Sequence, residues 1–253
     1  NATFAMDAER RDFTINAMFE DRSGKVHDFF GGQEDLQRRR LRFVGEPEKR
    51  IQEDYLRIMR YFRFWARLEF DSDAAALDAI RKNSDGLKQI SQERITSELL
   101  ETLSYGFVAL PLEWMFKTGV MAIVLPEAKV GGAVSILRTQ DLDAIPNPFR
   151  ALCRIASFFD GERTSSDSMH ALGKRLRLSN KQIEQLGYLF VGFERLRKPG
   201  DEQADGLLLI AEVRQIYGND GVRDAFSVYF KRHFEQMLTP DSRDLLDKVI
   251  WLR

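Results

Sequence analysis

Cysteine is almost missing from this sequence: Cys153 is the only one in 253 residues. A disulfide within the chain is excluded, no metal site can rest on thiolates, and the usage suits a reducing compartment, with the cytoplasm as the expected location. Histidine is nearly as scarce. His27, His170 and His233 are scattered, with no metal-ligand spacing. No apolar run approaches the ~20 residues of a membrane span, so no membrane partner is expected. The first residues do not read as a secretory leader. An excess of positive charge is lacking too. Thirty-eight basic residues face 39 acidic ones, for a net charge of −1. That removes the simplest argument for a nucleic-acid binder, although it leaves room for local patches.

What is present is an ordinary globular composition, 43% hydrophobic and 30% charged. A chain of this length makes one or two domains and can bury roughly 70–75% of its unfolded surface. Residue 1 is Asn rather than Met, and the segment after it is already dense with structure-forming residues. The expectation is a chain that begins inside something larger.

The first 45 residues differ from the rest. Ile15–Phe19 and Val26–Phe30 flank Asp21-Arg22-Ser23-Gly24, which reads as a β-hairpin. Gly31-Gly32 ends the second strand, residues 33–40 read as a helix, and Leu41–Val44 as a short strand. So few strands make the end of an α/β domain rather than a whole one. From Pro47 the pattern turns helical: a long amphipathic helix over 48–68, then helices at 74–83, from Ser91 through Leu103, and from Pro111. Residues 126–148 read as a loop-rich boundary. Helices follow at about 149–159, 166–177, 180–196, 204–217, 219–236 and 240–251. The fold class is mainly α.

One helix carries an unusual charge pattern. At ~100° per residue, Tyr55, Ile58, Met59, Phe62, Trp65 and Ala66 fall on one side as a core face. Arg57, Arg60, Arg63 and Arg67 share another sector with Glu53 and Asp54, both at its N-terminal end. Such crowding of guanidinium groups repels unless an anion sits there, and arginine grips phosphate bidentately. A solvated face with internal ion pairs is the competing reading. Upstream, Arg10-Arg11-Asp12 precedes the hairpin, a weak signal alone.

Taken in order, RRDFTINA (10–17), Asp28-Phe29-Phe30-Gly31-Gly32 with Asp35-Leu36, Val44-Gly45-Glu46-Pro47, Glu53-Asp54-Tyr55-Leu56-Arg57 continuing to Phe64, and Ile90–Ile95 with Glu98-Leu99-Leu100 closely resemble the class II tRNA nucleotidyltransferase (CCA-adding) and bacterial poly(A) polymerase family. The specific likeness covers about residues 8–103. The remainder looks like the family's helical body and tail, with Arg175–Asn180 its most familiar piece.

The resemblance implies a small β-containing remnant of an α/β nucleotidyltransferase head (1–45), a neck (46–118), a helical body (119–198) and a tail (199–253). It implies transfer of CMP and AMP from CTP and ATP to the 3′ end of tRNA or another RNA. Asp54 and Arg57 would pair with the incoming base, while Arg11, Arg60 and Arg63 would line the ribose and triphosphate. Asp12 and Asn16 are expected to hold local structure. A carboxylate accepts from the exocyclic amine of cytosine or adenine and a guanidinium donates to ring acceptors. Guanine and uracil would mismatch both contacts, and unpaired buried polar groups reject such analogues strongly.

The family also implies Mg²⁺ held by an Asp-x-Asp in a Gly-rich motif upstream of Arg10. Nothing in the sequence fits that motif. Asp71-Ser72-Asp73 and Asp141-Leu142-Asp143 match the spacing, but chance gives about as many, and both are expected in loops after the neck helix. The chain alone is therefore expected to be inactive, with no catalytic or metal-binding residue of its own. Residues 171–198 carry seven basic side chains against two acidic ones. Lys174, Arg175, Arg177 and Lys181 are the candidate RNA contacts, and a solvated helix pair is the bland alternative. His27 and His170 are expected at the surface or in turns, and Cys153 in a core. Poly(A) synthesis within the same family and a non-catalytic helical RNA-binding module stay open as other functions.

Overall fold

The computed structural model describes residues 2–128, 147–158 and 166–187. The chain divides into two compact units, residues 1–128 and 129–253.

The first unit opens with helix α1 (Ala2–Glu9) and a single 3-10 turn, Thr14–Asn16. Strands β1 (Met18–Glu20) and β2 (Val26–Asp28) then pair antiparallel, with Phe19 opposite His27. The expected hairpin is present, with shorter strands than its apolar runs suggest. Asp21 closes the turn by accepting from the Ser23 N–H at 2.9 Å and facing His27 Nε2 at 2.8 Å. His27 is thus a half-buried strand residue that faces the turn, not the surface or turn residue expected.

The Asp28-to-Gly32 motif is local architecture. Asp28 accepts from the N–H groups of Phe30, Gly32 and Gln33 and so caps helix α2 (Gly32–Gln37). Burial raises the Asp28 carboxyl's pKa, but these backbone bonds outweigh it and hold the group below its usual value. Gly31 is left-handed at φ 76°. A Cβ on Gly32 would sit 2.3 Å from the Thr14 carbonyl oxygen, so only glycine lets the two segments touch. Buried Asp35 accepts from Thr14 Oγ1 at 2.6 Å and Arg42 Nε at 3.0 Å.

Strand β3 (Arg40–Leu41) is shorter than the expected 41–44 and pairs in parallel with β4 (Asp71–Ser72). This corrects the expectation that Asp71-Ser72-Asp73 lies in a loop. Asp73 caps helix α5 (Ala74–Asn83) by accepting from the Ala76 N–H, and it pairs with Arg40 at 2.6 Å. Its own N–H donates to the buried Tyr61 hydroxyl.

The long helix expected over 48–68 is two helices, α3 (Pro47–Glu53) and α4 (Leu56–Leu68). Asp54 between them is extended (φ −153°, ψ 105°). The core face of α4 is as the periodicity indicates: Ile58, Met59, Phe62, Trp65 and Ala66 are buried and Tyr55 is half-buried. Phe13, Phe43 and Tyr61 complete the core, with ring centroids 5.0–6.0 Å apart. A 3-10 segment (Ser84–Gln89), α6 (Gln92–Ser104), α7 (Ala109–Lys117) and α8 (Val120–Val124) finish the unit. Helix α7 begins two residues before Pro111. α6 packs along α4.

In the second unit, helices at Asn147–Ser157 and Ser166–Arg175 and a helical segment at 180–187 are described. Cys153 is buried, and burial pushes its thiol up to about 12. Gly173 abuts Ile183, where a Cβ would approach to 2.7 Å. The expected helices at 204–217, 219–236 and 240–251, most of 188–198, and Asp141-Leu142-Asp143 lie outside the described residues. Among the described residues no helix is long and apolar enough to cross a membrane.

Candidate functional site

The break between α3 and α4 shapes the site. Asp54 leaves α3 in extended conformation and its Oδ1 accepts from the Leu56 N–H at 3.1 Å, capping α4. Its Oδ2 accepts from Arg94 Nη2 at 3.0 Å. The carboxylate is 35% exposed, so it is fixed in direction yet open to solvent. The Tyr55 ring lies directly against Gly86.

Arg57 lies in the first turn of α4 and is only 14% exposed. Its Nη1 donates to Glu53 and to the Arg50 carbonyl, both at 2.6 Å, and its Nη2 donates to the Arg10 carbonyl at 3.2 Å. Those bonds leave the Nε–H and one Nη2–H, the pair that makes a bidentate contact. Burial raises the Glu53 carboxyl, but Arg57 and Arg50 hold it below its usual pKa.

Arg60 and Arg63 follow on the same face. Arg60 Nε pairs with buried Asp12 at 2.5 Å, and Arg63 Nε with Glu98 of α6 at 2.6 Å. Glu98 also lies 3.8 Å from Arg60 Nη1. The arginine face is therefore not uncompensated. Carboxylates from distant segments answer it, which corrects the inference that the crowding demands a bound anion. Arg67, exposed in the last turn, takes no part in these pairs. Asp12 also accepts from Asn16 Nδ2 at 2.7 Å, so both hold local structure as expected.

Arg11 joins by its main chain. Its carbonyl accepts from Arg50 Nη2 at 2.6 Å, while its guanidinium pairs with Asp7 at 2.9 Å and lies over the Phe19 ring. The structure thus gathers Asp54, Arg57, Arg60 and Arg63 and turns the Arg11 side chain toward α1. Sequence reasoning gave no role to Arg50, Arg94 or Glu98. Arg94 and Glu98 stand four apart on one face of α6, within the quoted Ile90–Leu100 motif, and that spacing was the available signal.

Lys174 and Arg175 end the helix Ser166–Arg175, and Lys181 lies on the next helical segment. Arg177 between them is left-handed at φ 55°. Lys174, Arg177 and Lys181 are exposed and Arg175 is half-buried. Arg195, Arg197 and Lys198 lie outside the described residues. No cluster of three or more His, Cys, Asp or Glu side chains able to hold a metal occurs among the described residues. Asp73, engaged by Arg40 and the α5 N-terminus, does not fit the Mg²⁺ role.

Comparison with known proteins agrees with the sequence motifs. The sequence profile of the poly A polymerase head domain matches residues 1–42, and that of the probable RNA and SrmB-binding site of polymerase A matches residues 69–130. The zebrafish (Danio rerio) mitochondrial CCA tRNA nucleotidyltransferase 1 is 37% identical over 203 residues, covering 79% of this chain and 45% of the relative. The human counterpart is 53% identical over 100 residues, covering 38% of this chain and 23% of the relative. The chain thus spans less than half the length of these relatives. The crystal structure of the Bacillus stearothermophilus CCA-adding enzyme in complex with CTP superposes with a TM-score of 0.59 at 26% identity, covering 98% of this chain and 69% of that one. In its ordered motifs, its mainly helical fold and these relatives, the chain is similar to the tRNA nucleotidyltransferase and poly(A) polymerase family.

Proposed function

We propose that this chain selects the nucleotide and holds RNA in a template-independent nucleotidyltransferase that adds CMP and AMP to the 3′ end of tRNA. The observation that carries the reading is the pair at the α3–α4 break: a solvent-facing carboxylate, Asp54, beside an arginine with two donors in hand, Arg57. Asp54 accepts from the 4-amino group of cytosine or the 6-amino group of adenine, and Arg57 donates to the ring acceptors. Uracil and guanine place a carbonyl oxygen on Asp54 and an N–H on Arg57, and both contacts fail. Arg60 and Arg63 hold the triphosphate through their Nη donors, while Asp12 holds Arg60 and Glu98 holds Arg63 at Nε. Arg11 joins them by turning away from Asp7. Lys174, Arg175, Arg177 and Lys181 contact the RNA backbone.

Mg²⁺ belongs to this chemistry in the family, but the described carboxylates do not fit it. The 253-residue chain alone is expected not to incorporate nucleotide, and Mg²⁺-dependent incorporation of CMP or AMP by it would contradict this. The single cysteine fits a cytoplasmic location, although the zebrafish and human relatives are named as mitochondrial.

The test is equilibrium binding of the four nucleoside triphosphates to the chain. CTP and ATP bind more tightly than UTP and GTP, and Asp54→Ala removes the difference. Equal binding of all four by the wild type would sink the base-pairing reading. Poly(A) synthesis is the second reading, since one matching profile describes a poly A polymerase head. C followed by A on a tRNA end supports the first reading; runs of A alone support the second.

A further inference from the structure

We infer that Arg94 is a positioning residue that sets base specificity by locking the plane of the Asp54 carboxylate, an inference that rests on Asp54 reading the base. An aspartate's last torsion is broad, so a free carboxylate presents its lone pairs over a wide range of directions. Asp54 is held at both oxygens. Oδ1 is tied to its own helix through the Leu56 N–H, and Oδ2 is tied to α6 through Arg94. Either tie alone leaves the other oxygen free to swing. With both in place, one lone pair on each oxygen remains, in a fixed plane, for an exocyclic amine.

The Arg94 contact contributes little to stability, because Arg94 is 51% exposed and its partner 35% exposed, and such pairs are screened. Its consequence lies in direction. Four residues on, Glu98 fixes Arg63 from the same face of α6. One helix therefore aligns the base-reading carboxylate and an arginine of the phosphate-facing row. The carboxylate discriminates by where its lone pairs point, since a ligand that presents an acceptor instead of a donor leaves those remaining lone pairs unmet. A carboxylate that can rotate away escapes that mismatch, and discrimination falls.

The experiment compares binding of CTP and UTP to wild type, Arg94→Met and Arg94→Lys of the 253-residue chain, with thermal unfolding of each. The expected result for Arg94→Met is a roughly tenfold loss in the CTP-over-UTP preference, with the melting temperature within about 2 °C of wild type. Arg94→Lys keeps a cation in reach and recovers part of the preference. An unchanged preference in Arg94→Met would overturn the inference and leave the Asp54 reading intact. Equal weakening of both nucleotides would overturn it too, and would make Arg94 a phosphate contact. A wild type with no preference would overturn the Asp54 reading and this inference with it.

Discussion

Replacing Gly86 with alanine tests how the α3–α4 break is held. A Cβ on Gly86 would lie 2.0, 2.2 and 2.4 Å from Cδ1, Cε1 and Cγ of Tyr55. Carbon contacts settle at about 3.5–4.0 Å, so the ring must retreat by roughly 1.5 Å. The φ of Gly86 is not positive, so alanine gains about 0.4–1 kcal/mol from a less flexible unfolded chain. Overpacking costs about 1–3 kcal/mol. The net expectation is a loss of about 1–2 kcal/mol, read as a lower urea midpoint by tryptophan fluorescence. Tyr55 also carries the carbonyl that receives the Ile58 N–H, and it adjoins Asp54. Displacing it disturbs the first turn of α4, so CTP affinity falls with stability. The double variant Tyr55→Ala with Gly86→Ala removes the clash and is about as stable as Tyr55→Ala alone. Strict additivity of the two losses, or a Gly86→Ala midpoint equal to wild type, would refute the reasoning.

Two further outcomes follow from the same geometry. Burial raises the Asp12 carboxyl's pKa, but its bonds to Arg60 and Asn16 outweigh that and hold it below the ordinary value. Its stabilisation is complete above the unfolded pKa of about 3.9 and is lost as pH falls through the lower folded value. Arg60→Met is therefore less stable than wild type at neutral pH, and the gap narrows below about pH 4 in acid-unfolding curves; a gap independent of pH would count against the pair. Lys174→Glu with Arg177→Glu should make the slope of log affinity for tRNA against log salt shallower by about 1.5–2, and an unchanged slope would place the RNA elsewhere.

The core face of α4 was legible because six apolar side chains recur at helical spacing, and only burial was needed to satisfy them. The break before it was not. Glu53-Asp54-Tyr55 holds no proline or glycine, and the helical period runs straight through it. Beside the local Asp54 cap on Leu56, what accompanies it is tertiary: Arg94 arriving from α6 and the Tyr55 ring seated on Gly86. The pairing of the arginine face was hidden for the same reason. Asp12 stands 48 residues before Arg60, and Glu98 stands 35 after Arg63. A helical wheel sees only its own helix, so it counted cations and missed the carboxylates that face them. Strand β4 was illegible because two residues carry no alternation, and its partner β3 lies 31 residues upstream. Asp54 and Arg57 stood out in the sequence only through the order and spacing of the motifs, and their pairing with a base is the reading proposed above. Arg94 was inside one of those motifs, but its partner is fixed by how α6 packs on α4.

The central claim is that Asp54 meets the amino group of the incoming base. The most direct measurement is a cycle across the protein–ligand contact. Wild type and Asp54→Ala are each titrated with CTP and with a triphosphate whose pyrimidinone base lacks the 4-amino group. The account predicts that wild type loses about tenfold or more in affinity for the analogue, that Asp54→Ala binds both equally, and that the two losses are not additive. Equal preference for CTP over the analogue in both proteins would contradict it.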